Sequence, residues 1–220
     1  IDVFTGIIRI ENSLTSTNST FSFQAQHELI VGQDGVISNE RGTIDLEASS
    51  IIHDGIIAAQ GGQTRLDSGD NGITVVRGVI DVSNTTVGEL GGTVQVLGAQ
   101  VALLDGARVD ASGAGGGGKV LIGGDYQGSN LAVRNARQTY IGTGAVISAN
   151  ATVAGMGGTV IIWANEMAAV YGSISARGGA TGGDGGFVET SGKQYLDFQG
   201  SVDASAAHGA AGTWLLDPED

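Results

Sequence analysis

Four residues recur down this chain and restrict its fold more than anything else: two glycines, a variable residue, then valine. They stand at Gly91-Gly92-Thr93-Val94, Gly117-Gly118-Lys119-Val120, Gly157-Gly158-Thr159-Val160 and Gly185-Gly186-Phe187-Val188, with a degenerate copy at Ala211-Gly212-Thr213-Trp214. A second marker alternates with them: Val109-Asp110-Ala111, Ile147-Ser148-Ala149, Ile174-Ser175-Ala176 and Val202-Asp203-Ala204. Followed upstream, it heads a column of Ile8, Ile37, Ile57, Ile80, Val109, Ile147, Ile174 and Val202. The next residue is mostly polar and the one after mostly small and apolar. That alternation is the period of a strand with one buried face.

The glycine pair opens a second strand. Its inward columns are Ile44, Thr64, Val94, Val120, Val160 and Val188, then Leu46, Leu66, Val96, Ile122, Ile162 and Thr190. The outward residues between them vary freely: Asp45, Arg65, Gln95, Leu121, Ile161 and Glu189. Stacked coils require this, since each inward residue packs on its equivalents above and below. A third, less regular strand precedes each second marker, as at Ser50-Ile51-Ile52, Val101-Ala102-Leu103 and Tyr195-Leu196-Asp197-Phe198. Tandem hairpins would need frequent turns of the Asn-Gly type, and Asn71-Gly72 is the only one. The expected fold is therefore all-β: a right-handed parallel β-helix over residues 1–220, of about eight to nine coils with three short strands each. Its glycines mark corners, where positive φ or close backbone approach is needed.

Two stretches break the period. Residues 11–28 read as a polar insertion outside the helix. Residues 124–138 read as a loop inserted in one coil, and its Asp125, Tyr126, Arg134 and Arg137 make the most unusual surface of the chain. The loop is either a decorated corner or a binding loop.

Composition narrows the function. Glycine supplies 39 of 220 residues but without a Gly-X-Y triplet, which excludes collagen. A net charge of −13 with no basic cluster disfavours nucleic acid as a partner. With no cysteine, disulfides and Cys-ligated zinc are excluded. No apolar run approaches the ~20 residues of a membrane helix, so no membrane insertion is expected. The chain starts at Ile1 and reads as a piece of something longer.

Chemistry is harder to find. Asp81, Asp110 and Asp203 share an outward column, and stacking would bring the first two within the spacing used by glycosidases. The same column holds Ser38, Ala58, Ser148 and Ser175, with no recurring base or aromatic platform beside it. A solvated acid ladder explains it better than catalysis, so the chain is read as no enzyme. Asp67-Ser68-Gly69-Asp70-Asn71-Gly72 resembles the start of a calcium loop but lacks the remote glutamate and reads as a turn. His27, His53 and His208 form no metal pair. No cofactor motif is present. Asn18, Asn84 and Asn150 each open an Asn-X-Thr sequon, informative only for a glycosylated surface protein.

Longer stretches carry a family resemblance. Gly91 to Gly98, Leu121 to Gly128, Gly172 to Gly179, Gly185 to Gly192 and the ending Gly212-Thr213-Trp214-Leu215-Leu216-Asp217-Pro218 resemble filamentous-haemagglutinin-type exoproteins of two-partner secretion, among them the high-molecular-weight adhesins. The resemblance covers residues 42–220. It implies a secreted or cell-surface β-helix, exported through an outer-membrane partner and used as an adhesin shaft or extracellular filament. The Asn-Pro-Asn-Gly-type motif of the secretion domain is absent, so the segment reads as shaft. Its expected partners are flanking repeats of a longer parent chain or further copies stacked head to tail. A glycan- or host-protein-binding module using the 124–138 loop is the alternative, and a β-helical polysaccharide lyase or hydrolase the third reading. Trp214 departs from the valine column and marks the end of the regular rod or a contact that continues it.

Overall fold

The computed structural model describes residues 2–217 and shows a right-handed parallel β-helix. Three faces wind about one core. The first face carries strands that each follow a glycine, in five of them a glycine pair: Thr43–Glu47, Gln63–Asp67, Thr93–Leu97, Lys119–Ile122, Thr159–Ala164, Phe187–Gly192 and Thr213–Leu216. The second carries Ser50–His53, Ile73–Val76, Gln100–Leu103, Gln138–Ile141, Met167–Val170 and Tyr195–Phe198. The third is an eight-stranded sheet, Ser13–Thr17, Val36–Glu40, Ile56–Ala58, Val79–Asp81, Arg108–Asp110, Val146–Ser148, Ser173–Ser175 and Ser201–Asp203. Every named pairing is parallel, so the described residues make eight coils rising about 4.8 Å each.

The stacked columns follow the sequence. Val94, Val120 and Val160 pair in register, as do Val109, Ile147 and Ile174. Most of the inward residues are fully buried and form one continuous core. Uniform parallel stacking explains why the columns were readable: each residue meets the environment its equivalent meets one coil away.

The glycine pairs have a single cause. The second glycine donates its N–H to the carbonyl of the apolar residue just after the third-face strand: Gly92 to Val82 at 2.8 Å, Gly118 to Ala111 at 2.7 Å, Gly158 to Ala149 at 2.7 Å and Gly186 to Ala176 at 2.7 Å, and Gly212 of the degenerate copy does the same to Ala204 at 2.8 Å. That bond closes the corner and presses the preceding glycine onto the next coil. A Cβ on Gly117, Gly157 or Gly185 would overlap the carbonyl oxygens of Ala149, Ala176 and Ala204. None of these glycines has positive φ. Close backbone approach, rather than a left-handed conformation, selects glycine here.

Two expectations need correction at the first coils. Ile8 does not head the third-face column: it lies in strand Asp2–Ile10 and pairs with Leu29, while Leu14 stands opposite Ile37. Residues 11–28 are not outside the helix either. Ser13–Thr17 pairs with Val36–Glu40, and Thr20–Val31 is a long strand spanning two faces, with Phe21 opposite Ile44 and Leu29 opposite Ile51. Serine and threonine made this segment look like a loop. Threonine is also a good strand former, and on an outer strand one inward leucine suffices to keep register. Asp2–Ile10 stacks on the long strand and covers that end of the core.

Candidate functional site

The 124–138 loop leaves strand Lys119–Ile122 on the first face. Gly124 and Gly128, both with positive φ, sit beneath the Trp163 indole, where a side chain would overlap the ring. Asp125 caps a single 3-10 turn, Tyr126–Gly128. Its carboxylate accepts from the Tyr126 N–H at 2.8 Å, Asn130 Nδ2 at 2.8 Å and Lys119 Nζ at 3.2 Å. Burial raises this carboxyl, but the three donors outweigh burial and hold it below the usual range.

The loop does not protrude; it lies along the rod. Val133 packs with Leu97, Leu121, Ile161 and Trp163 in a second apolar cluster, joined by Phe187. Tyr126 meets Phe187 edge-on at 5.8 Å. The apolar outward residues Leu121 and Ile161, anomalous for a solvated strand, are covered by this loop. At one end the Gln127 N–H, on a left-handed residue, donates to both Glu189 oxygens at 3.1 and 3.2 Å. At the other, Arg134 Nε donates to Asp67 at 2.9 Å and a second guanidinium nitrogen pairs with Asp70. From Asp67 to Glu189 the strap crosses five consecutive first-face strands, about 19 Å at the coil spacing.

The four loop residues singled out in the sequence thus divide. Asp125 and Arg134 are committed to internal contacts, whereas Tyr126 and Arg137 face solvent. Arg134 also disposes of the calcium-like turn. Asp67 receives Arg134, Arg65 Nη2 at 2.6 Å and the Gly69 N–H at 2.9 Å. Among the described residues no group of three or more His, Asp or Glu side chains is arranged to hold a metal ion.

The acidic third-face column has a common duty. Asp81 Oδ1 accepts from the Ser83 N–H at 2.9 Å, Asp110 Oδ1 from Ser112 at 2.8 Å and Asp203 Oδ1 from Ser205 at 3.0 Å. Each aspartate organises the turn two residues on. Of the sequons, Asn18 is exposed with φ of 49°. Asn84 is engaged by Glu89 and by the Thr86 N–H, and Asn150 by Ser175 and by the Arg177 N–H.

Two interior positions, Glu189 and His53, escaped sequence reasoning, while Trp214 was noticed but not its contacts. Glu189 is buried on the outer side of the first face, beneath the strap, and burial pushes its carboxyl up. Its Phe-Val-Glu-Thr context gave no local signal, because the covering loop lies 62 residues away. His53 occupies an inward second-face column between Val31 and Val76. Its Nε2 lies 3.0 Å from the Val79 carbonyl, Nδ1 is buried without a partner, and burial lowers its pKa to about 4. His27 and His208 are exposed. Trp214 does replace valine in register with Val188. It leans on Phe198 at 4.8 Å between ring centroids and donates to Thr190 at 3.1 Å. Pro218 lies outside the described residues.

With that geometry in place, comparison with known proteins is informative. No protein-family model matches the chain, and no curated protein matches it. Among solved structures the chain is similar to the HMW1 secretion domain from Haemophilus influenzae. The TM-score is 0.80 at 25% sequence identity, over 96% of this chain and 61% of that one. The present chain therefore spans about three-fifths of the structure it matches. The likeness supports the resemblance to filamentous-haemagglutinin-type exoproteins. The chain shares the β-helical fold of that domain, and the carboxylates of its third-face column serve turns.

Proposed function

We propose that this chain is a rigid β-helical segment of a large secreted bacterial surface protein, serving as adhesin shaft or extracellular filament. One observation carries the reading: parallel ladders run unbroken through eight coils over a single apolar core, and a strap tied to Glu189 and Asp67 braces five of them. Such a rod has no soft joint between those coils. Its partners in this reading are flanking repeats of the parent chain or further copies joined at open coil ends. Strand Thr213–Leu216 pairs on one side only among the described residues, and an unpaired strand edge is a template for another strand.

The structural comparison favours a second reading. The matched structure is a secretion domain, so the segment could instead belong to the part of its parent that engages an outer-membrane partner during export. Deleting residues 43–192 from the parent protein separates the two. A shaft role requires that the shortened protein still reach the cell surface, with a shorter projection in electron micrographs. Retention of the shortened protein inside the cell would overturn the shaft and establish the export role.

A further inference from the structure

The outer side of the second face differs from the rest of the surface. In one outward column the register places Ile52, Val75, Ala102 and Tyr140 on successive coils, followed by Ala169. In the other it places Ile73, Gln100, Gln138 and Met167. None of the outward positions, two on each of the five strands from Ser50–His53 to Met167–Val170, is charged. On a molecule of net charge −13 this is a neutral strip along the axis, while the adjoining first face shows Asp45, Glu47 and Arg65. Large side chains in it are open to solvent: Ile73 and Tyr140 are 39% exposed and Met167 38%.

Three of the chain's four tyrosines gather at one end of the strip. Tyr140 and Tyr171 meet edge-on at 5.7 Å, and Tyr195 follows Met167 on the next coil, 57% exposed. A polar group stands beside them. Asp197 accepts from the Tyr171 hydroxyl at 2.7 Å and from Gln199 Nε2 at 3.1 Å, leaving lone pairs for a further donor.

The strip's dimensions limit what can occupy it. With Tyr195–Phe198 added, six strands span about 24 Å along the axis, and four-residue strands about 13 Å across it, or about 310 Å². A stable protein dimer needs about 800 Å² on each partner, so the occupant is narrow. An added peptide strand would pair only with the open edge of Tyr195–Phe198 and would leave the other five strands, each paired on both sides, uncovered. An anionic lipid or acidic glycan would find no lysine or arginine at these positions and a repulsive molecule around them. What fits is a thin, uncharged polymer with apolar C–H faces for the rings and hydroxyls for amides and a carboxylate.

We propose that this strip binds an uncharged oligosaccharide laid along the rod axis, its sugar faces on Tyr140 and Tyr195 and its hydroxyls on Gln100, Gln138 and Asp197. The site is separate from the 124–138 loop and holds whichever role the rod has in its parent. The test is calorimetric titration of the 220-residue chain with neutral gluco-, galacto- and manno-configured hexasaccharides, beside a uronic-acid hexamer and anionic vesicles. At least one neutral hexasaccharide is expected to bind. Tyr140→Ala and Tyr195→Ala should each weaken that binding about tenfold, the loss of a modest aromatic anchor, with unchanged denaturation midpoints. Gln138→Glu should weaken it without removing a ring, and Arg137→Ala should leave it unchanged. The proposal is overturned if no neutral sugar binds at about millimolar concentration, or if binding survives both tyrosine changes. Preference for the uronic hexamer or the vesicles would overturn it too. So would sugar-independent self-association abolished by Tyr140→Ala, which would make the strip a contact between copies.

Discussion

Lowering the pH from 7 to 4.5 should destabilise this rod through one side chain, His53. The imidazole lies wholly inside the core, in the column of Val31, Val76 and Leu103. Its Nε2–H donates to the Val79 carbonyl, which fixes the neutral tautomer, while Nδ1 has no partner to receive a second proton's hydrogen bond. Burial is the main cause of the fall in its pKa from 6.5 to about 4, and the hydrogen bond to Val79 and the charge of neighbouring Asp54 only partly oppose it. The folded state therefore binds fewer protons than the unfolded chain between those values. Stability is complete above about pH 6.5 and declines until the pH passes about 4. Each pH unit in that window carries about 1.4 kcal/mol, so the whole window carries about 3 kcal/mol. Guanidinium unfolding of wild type and His53→Leu at pH 7.5, 6.5, 5.5 and 4.5 measures it. Leucine fits a column that already holds Val76 and Leu103, so the variant should fold and its midpoint should change little across the series. Comparing the two proteins is essential, because the raised carboxyls of Asp45 and Glu189 act in the opposite direction. Equal pH slopes in the two proteins would refute the reasoning.

Other outcomes follow from the same contacts. Trp163→Ala removes the ring that seats the strap and should cost about 3–5 kcal/mol; trypsin cleavage at Arg134 and Arg137 should accelerate sharply. Gly158→Ala drives a methyl group into the Gly118 carbonyl and should prevent folding or lower the denaturation midpoint severely. Gly69→Ala, at φ of 79° in open space, should cost only about 1–2 kcal/mol. Equal effects would mean that close approach is not what selects the glycine pairs. Glu189→Gln should remove a component of stability that is present below pH 4.5 and is lost as pH rises through the folded value; matching acid-side curves would count against its burial under the strap. Asp110→Asn keeps the acceptor for the Ser112 N–H and should stay within about 0.5 kcal/mol of wild type, whereas Asp110→Ala should lose about 1 kcal/mol.

How far the chain could be read depended on the range of each interaction. Val94 reports its position unaided, because its neighbours above and below are valine and threonine at the same step of the repeat. The alternation around Ile147 declares a strand for the same reason. Leu14 was hidden by its serines and threonines, and Ile8 took its place because Ile-Arg-Ile imitates the marker. Arg134 and Tyr126 drew notice as rare residues in the loop, but their partners could not be read: Asp67 is 67 positions from Arg134.

The repeat itself was decided by sequence. Parallel stacking puts equivalent residues into equivalent surroundings, so the glycine pair and the valine two residues on recur where successive corners close in the same way. Everything that breaks the repeat was decided by tertiary structure: the strap on Trp163, the buried Glu189, the histidine in an aliphatic column and the neutral strip with its three tyrosines. Each depends on which coil lies beside which, and residues brought together by that stacking leave no common pattern in the chain.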